Sequence, residues 1–270
     1  MSIPEKKQPV LFDSLPGGIL YLGNTLFPDS LISIVILPLT YINTQTKQWL
    51  HEKELIKLSS FSFKKRYREW LGGRICSKQG LYTYLQQQDS FQFIPEPQQY
   101  LVASEESGKP YFTGFRDIDF SFPELSISHS KDFATALISK TYCGIDIQYP
   151  AENLYKVKEK FCTEQEELLL QQGLPKLSAL QQLTLLWTGK EAIKKMLSPT
   201  GIPGFHELSL QEIRPHDTST ATLCFSKTGE KFLSVAACIL DTGYGLALCC
   251  DVKADTPQSP DKDLCRNCLK

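Results

Sequence analysis

The chain has 270 residues, of which 41% are hydrophobic and 22% charged, and its formal net charge is −1. That length and composition support an ordinary apolar core, in one large domain or in two that share an interface, without disulfides or structural metals to staple it. A net charge so near zero excludes a global electrostatic draw to nucleic acid or to an anionic membrane, so any anion site must be a local cluster.

The opening residues, MSIPEKKQPV, have no basic start followed by an apolar stretch and do not read as a secretory leader. SLISIVILPL is too short to span a bilayer and reads as a buried strand over 30–39. Residues 46–59 and 63–87, rich in Lys, Glu, Leu and Gln, read as helices. YLVASEESGKPYF gives a strand, a turn at Gly108 and a second strand. FSFPELSISHS reads as an approach loop, and FATALIS and CGIDIQ as two strands. From residue 150 the rhythm repeats, with helical segments through VKEKF and EQEELLLQQ and a long helix over 177–197. Strands are then expected at 205–214, 220–226, 231–239 and 244–250. The expected fold class is α+β, with two similarly built subdomains at 1–140 and 141–250, each an antiparallel sheet packed with helices. No internal repeat is visible in the sequence. Residues 251–270, polar and proline-containing, read as a loose tail.

Nine cysteines are an odd number, and several stand in apolar runs such as VAACIL and LALCC, where a free thiol packs as a small hydrophobe. A reduced, cytoplasmic, soluble protein is the expectation. CRNC sets Cys265 and Cys268 at C-x-x-C spacing, but the adjacent Cys249 and Cys250 upstream do not complete a paired zinc framework.

Asp146 stands between two isoleucines in an apolar strand, so its carboxylate must be exposed, paired or holding a cation. Trp187, Glu191 and Lys195 recur at i, i+4 and i+8 and share one helix face, bordered by Lys190 and Lys194. Alone, Glu191 and Lys195 make a surface pair worth a few tenths of a kcal/mol. Facing Asp146, they would make a site for a hard divalent cation and a phosphate. Gln148, two residues past Asp146, shares its strand face and offers an amide oxygen. Three further stretches could hold phosphate. SGKPYF carries Lys109; LSISHS carries Ser126, Ser128, His129 and Ser130; FKKRYREWLGGR carries Lys64, Lys65, Arg66, Arg68 and Arg74. Singly, each is ordinary solvated charge or a hydrogen-bonded loop. No G-x-S-x-G elbow is present, and four histidines leave few bases for a hydrolase triad.

In chain order, GKPYF, LSISHS, GIDIQ, FCTEQE and WTGKEAIKK resemble the motifs of the 4′-phosphopantetheinyl transferases of the long, surfactin-synthetase-activating type. Their patterns are G-[KR]-P, [NS]-[IL]-S-H-S, G-[VI]-D-[IV]-E, F-x-x-x-x-E and W-x-x-K-E-[AS]-x-x-K. Any one of these is weak, but five in order with fitting gaps are specific. The resemblance covers residues 60–200 and extends toward 250. It implies a pseudo-twofold pair of subdomains with coenzyme A bound between them. It also implies Mg²⁺-dependent transfer of the phosphopantetheine arm to a serine of an apo acyl-carrier or peptidyl-carrier protein, releasing adenosine 3′,5′-bisphosphate. By the same resemblance Asp146 and Glu191 are magnesium ligands, and Lys109, Ser128 and His129 hold the coenzyme's phosphates, with Arg66 and Arg74 contributing. Lys195 would lie along the pyrophosphate, and Glu191 would activate the carrier serine directly or through a bound water. The family pattern has Glu where this chain has Gln148, which removes one negative charge from the metal site and leaves Gln148 a weaker ligand. The length matches the monomeric, internally duplicated class. The alternative is a non-catalytic module of the same fold that binds coenzyme A or a carrier protein.

Overall fold

The computed structural model describes residues 17–88, 94–114, 122–227 and 230–251. It is an α+β protein with three antiparallel sheets. The tail over 252–270, with Cys265 and Cys268, lies outside the described residues, as does the start over 1–16.

In the first half, strands β1 (Ile32–Pro38), β5 (Phe133–Ser139) and β4 (Glu124–Ser130) form a sheet in the order β1-β5-β4, and β2 (Leu101–Ser104) pairs with β3 (Pro110–Thr113). Helix α2 (Glu52–Ser59) precedes the long α3 (Lys64–Gln86), which lies on β5 and β1. Leu71, Ile75, Leu81 and Leu85 of α3 pack against Val35, Leu37, Leu125, Ala136 and Ile138 in one apolar core.

In the second half, five strands run in the order β6-β10-β9-β8-β7 (Cys143–Gln148, Gly245–Cys250, Glu230–Ile239, Thr220–Lys227, Leu208–Pro215). The short α4 (Asn153–Val157) leads to α5 (Glu164–Gly173) and then to the long α6 (Ala179–Leu197), which packs across β6, β10 and β9. Leu183, Leu186 and Ile193 of α6 join Ile145, Ile147, Leu223, Ala237 and Leu248 in a second core.

Two elements depart from the sequence reading. ELSISHS is not a loop but β4, paired through its whole length with β5. Its apolar and polar residues alternate (Leu125, Ser126, Ile127, Ser128), the period-2 signature of a strand, which its serines disguised; Ser126 and Ser128 are themselves buried. Helix α1 (Gly17–Leu26) also went unread. Its Ile19 and Leu22 are buried in the second core, and it lies against β8 and β9 although it precedes β1.

The halves repeat one buried device. In each, a capping-box glutamate at the third position of a short helix reaches back to the cap residue's N–H: Glu54 to His51 at 2.9 Å, and Glu166 to Thr163 at 2.9 Å. The same carboxylate accepts a strand N–H, from Val102 for Glu54 and from Leu210 for Glu166, each at 2.9 Å. It is also paired with a fully buried lysine of the long helix, Lys78 with Glu54 at 2.9 Å and Lys190 with Glu166 at 2.7 Å. Each lysine donates to two main-chain carbonyls, Pro97 and Tyr100 for Lys78, and Phe161 and Phe205 for Lys190. Burial holds both ammonium groups below the ordinary lysine range, an effect opposed by the glutamates. These residues stand at one constant offset, Glu54 to Glu166, Lys78 to Lys190, and WLHEKE at 49–54 to FCTEQE at 161–166. The internal repeat is therefore present in the sequence but confined to a few positions.

The close seat of α6 on β6 depends on Gly144. A Cβ at that position would fall 1.8 Å from the carbonyl oxygen of Ala192, a main-chain atom of α6 that no side-chain rotation can clear. Gly144→Ala is expected to cost about 3 kcal/mol, the upper part of the range for overpacked cores. Urea unfolding of the variant against wild type checks this, and a loss below about 1 kcal/mol would show that α6 can move off β6 without penalty.

Candidate active site

Seating α6 on β6 brings the helix's polar stripe to the strand's one carboxylate. Asp146 is only 7% exposed. Its Oδ1 accepts from Lys195 Nζ at 2.7 Å and from Ser128 Oγ at 2.7 Å, and Lys195 also donates to the carbonyl of Ile145 at 2.9 Å. The carboxylate is therefore paired, and a partner in the last turn of α6 explains why it tolerates an apolar strand.

An open cleft of about 380 Å³ lies over this group, lined by Ile127, Ser128, His129, Asp146, Trp187, Glu191 and Lys195. Sequence-predicted residues from β4, β6 and α6 thus meet in one cavity. A second chamber of about 290 Å³ shares Ile127, Glu191 and Lys195 with the first, and Lys109 and Lys194 also line it. Glu191 is half-buried and pairs with Lys194 at 3.0 Å, not with Lys195 as the i,i+4 spacing proposed. Lys195 is instead drawn to the strand, because Asp146 and the Ile145 carbonyl offer a more buried set of acceptors. Lys194 also stands 3.8 Å from the centre of the Phe205 ring, which stacks near Trp187.

His129 projects from β4 at the rim, its Nδ1 3.8 Å from Glu69 of α3. Burial holds the imidazole below its ordinary range; Glu69 opposes this, while Arg66 and Lys195 add to it. Arg66 is exposed on α3 and close enough to act on His129. Lys109 is committed to Glu124 at 2.6 Å and lies over the Tyr142 ring.

Three predicted residues line neither chamber: Arg66, which stands near His129 on the exposed side of α3, and Gln148 and Arg74. Gln148 turns its amide back, Nε2 donating to the carbonyl of Tyr149 at 2.9 Å, and it does not line either chamber. It shares a strand face with Asp146, but its amide is satisfied locally. Arg74 lies over the Trp70 ring at 4.3 Å and reaches toward the carbonyl of Val102 at 3.4 Å. Burial lowers its guanidinium to about 10. It belongs to the side of α3 that faces β2.

Trp187 lines the cleft with Glu191 and Lys195, as the shared helix face implied, but sequence reasoning missed Glu69 and Lys194 as the partner of Glu191. Both are set by how helices rotate against strands, and only the i,i+3 spacing of Glu191 and Lys194 was available as a signal.

Among the described residues no three His, Cys, Asp or Glu side chains converge as a metal-binding group. A cation in this cleft would draw on the two carboxylates Asp146 and Glu191 and take its remaining oxygens from outside the chain. That set suits Mg²⁺, which keeps several waters and uses substrate phosphates, and does not suit a closed zinc site. The described cysteines are all free and buried, so they offer no alternative ligand set at the surface. Among the described residues no helix is long and apolar enough to cross a membrane.

Residues 142–249, which take in β6 and all but the last residue of β10, match the family model for the 4′-phosphopantetheinyl transferase superfamily. No curated protein matches the chain.

Proposed function

We propose that this protein transfers the 4′-phosphopantetheine arm of coenzyme A to a serine hydroxyl of an apo acyl-carrier or peptidyl-carrier protein, as a long, surfactin-synthetase-activating type of transferase. The observation that carries the reading is the convergence of Asp146, Glu191, Lys195 and His129 on one open cleft. Binding alone would not require two carboxylates and a lysine beside an anion site. The two halves act as two subdomains with the cleft at their junction.

In the reaction the carrier serine oxygen bonds to the β-phosphorus of coenzyme A, and the bond from that phosphorus to the bridging oxygen breaks. Adenosine 3′,5′-bisphosphate leaves with the bonding pair. Phosphoryl transfer needs mainly positioning and charge stabilisation, and this cleft is built for both. Glu191 takes the serine proton. Lys195, held at the boundary of the two chambers, balances charge on the departing phosphate. His129 and Arg66 hold the 3′-phosphate, and Lys109 guards the second chamber. Asp146 and Glu191 would hold Mg²⁺, which supplies charge neutralisation for the pyrophosphate when bound. Gln148 is not required.

Intact-mass analysis of an apo carrier protein incubated with this protein and coenzyme A, with and without Mg²⁺, tests the reading. A gain of one phosphopantetheine arm, only with Mg²⁺, is expected. Coenzyme A binding with no gain on either an acyl-carrier or a peptidyl-carrier protein would overturn it in favour of a binding module.

His129 gives a second test. His129→Ala is expected to weaken coenzyme A by about tenfold, as for loss of one charge-assisted hydrogen bond, and to leave the 3′-dephospho analogue within about twofold. Burial disfavours the charged imidazole and a bound phosphate favours it, so wild-type affinity should tighten as the pH falls through the imidazole range. Calorimetric titration of both ligands checks this, and equal losses for the two would remove His129 from the 3′-phosphate.

A further inference from the structure

Strand β4 makes the same contact three times. The main-chain N–H groups of Ile145, Ile147 and Tyr149, along the edge of β6 not paired with β10, donate to the hydroxyls of Ser126 at 3.0 Å, Ser128 at 3.3 Å and Ser130 at 2.9 Å. Serines at every second position put all three hydroxyls on one side of the strand. Hydroxyl oxygens thus stand where a neighbouring strand's carbonyls would, and they join the first sheet to the second.

A hydroxyl differs from a carbonyl in carrying a proton of its own. At Ser128 that proton goes to Asp146 Oδ1, 2.7 Å away. Ser126 makes the matching contact to β6 with no bond to Asp146. Lys195 donates to the same Oδ1, so two donors from two different elements hold one oxygen of the carboxylate. Ser128 and Asp146 are 6% and 7% exposed, so water competes little for either bond. Among the described residues, no hydrogen bond engages Oδ2.

We propose that Ser128 is a positioning residue: with its oxygen pinned by the Ile147 N–H, it directs its proton to Asp146 Oδ1 and, with Lys195, fixes the carboxylate so that Oδ2 is kept for a divalent cation in the cleft. This rests on the reading of Asp146 as a cation ligand. It gives the Ser128 hydroxyl a task different from gripping a coenzyme phosphate, since its oxygen and its proton are both engaged within the protein.

Ser126→Ala is the matched control for Ser128→Ala. Each removes one seam hydroxyl and leaves one β6 N–H without its partner, but only Ser128→Ala also takes one of the two donors from Asp146 Oδ1. Mn²⁺ alone serves as the probe, titrated into the full chain and followed by its electron paramagnetic resonance signal, with the thermal midpoint measured in parallel. The two variants are expected to lose similar thermal stability. Ser128→Ala is expected to weaken Mn²⁺ by about tenfold, in line with loss of an outer-shell partner, while Ser126→Ala stays within about twofold of wild type and Ser128→Thr recovers most of the loss. If Ser128→Ala does not fold, Ser128→Cys, which keeps the volume with a much weaker donor, decides between the same outcomes. Equal Mn²⁺ affinity in the Ser126 and Ser128 variants, while Asp146→Asn loses the ion, would overturn the positioning role and leave Asp146 as a ligand. Mn²⁺ binding unmoved by Asp146→Asn would overturn the ligand reading, and this inference with it.

Discussion

Glu191→Gln is expected to lower carrier-protein phosphopantetheinylation by roughly 10³-fold, the scale for removing a charge that acts on the reacting groups. The substitution keeps the shape of a half-buried side chain on α6 that lines both chambers and pairs with Lys194 at 3.0 Å. What it removes is the negative charge and the ability to take a proton, the two properties the proposed chemistry uses. Folding should change little, because the pair it breaks is partly solvated and worth at most about 1 kcal/mol. Coenzyme A binding measured without divalent ion should also persist. Single-turnover transfer, read by intact mass alongside the thermal midpoint, separates the effects. Turnover within about tenfold of wild type would show that Glu191 is neither the base nor an essential ligand.

Glu166→Ala is expected to cost about 3–5 kcal/mol, the range for leaving one member of a buried ion pair alone. Domain stabilities total only about 5–15 kcal/mol, so this variant stands near the threshold of folding. The reason is the number of groups that depend on one carboxylate. Lys190 Nζ is 2.7 Å from Oε1, which also accepts the Leu210 N–H, and Oε2 accepts the Thr163 N–H. With Glu166 truncated, a lysine of 0% exposure faces only two carbonyls, and two N–H groups lose their acceptor. Ordinary buried pairs can often be replaced by apolar residues without penalty. Here the combined Glu166→Leu, Lys190→Met variant should not recover wild-type stability, because the main-chain partners remain unsatisfied. Urea unfolding of the single and double variants checks both statements, and full recovery in the double variant would reduce the device to a simple ion pair.

Much of the architecture was legible because its signals are local. The buried runs at β1, β5 and β6 declare themselves by apolar content, and α5 and α6 by their helix-forming composition; the structure adds the capping boxes that start them, Thr163 with Glu166 and Ser178 with Gln181. β4 and α1 were less legible for opposite reasons. The serines of β4 look like loop residues until β6 supplies N–H donors for them. Helix α1 is apolar over a short length, and its partner strands β8 and β9 come some 200 residues later.

The sequence by itself determined which residue types the site could use. Asp146 in an apolar strand required a partner, and a helix stripe with Glu191 and Lys195 at i and i+4 offered one, because strand and helix periodicities are fixed by backbone geometry. Only the tertiary structure decided how these groups pair. Lys195 chose Asp146 over Glu191, Glu191 took Lys194, and Gln148 turned away from the cleft. Ser128 became a partner of Asp146 because two sheets meet there through hydroxyls. Hydrogen bonds select among acceptors by distance and burial within about 3 Å, and those are properties of packed surfaces that no spacing along a chain contains.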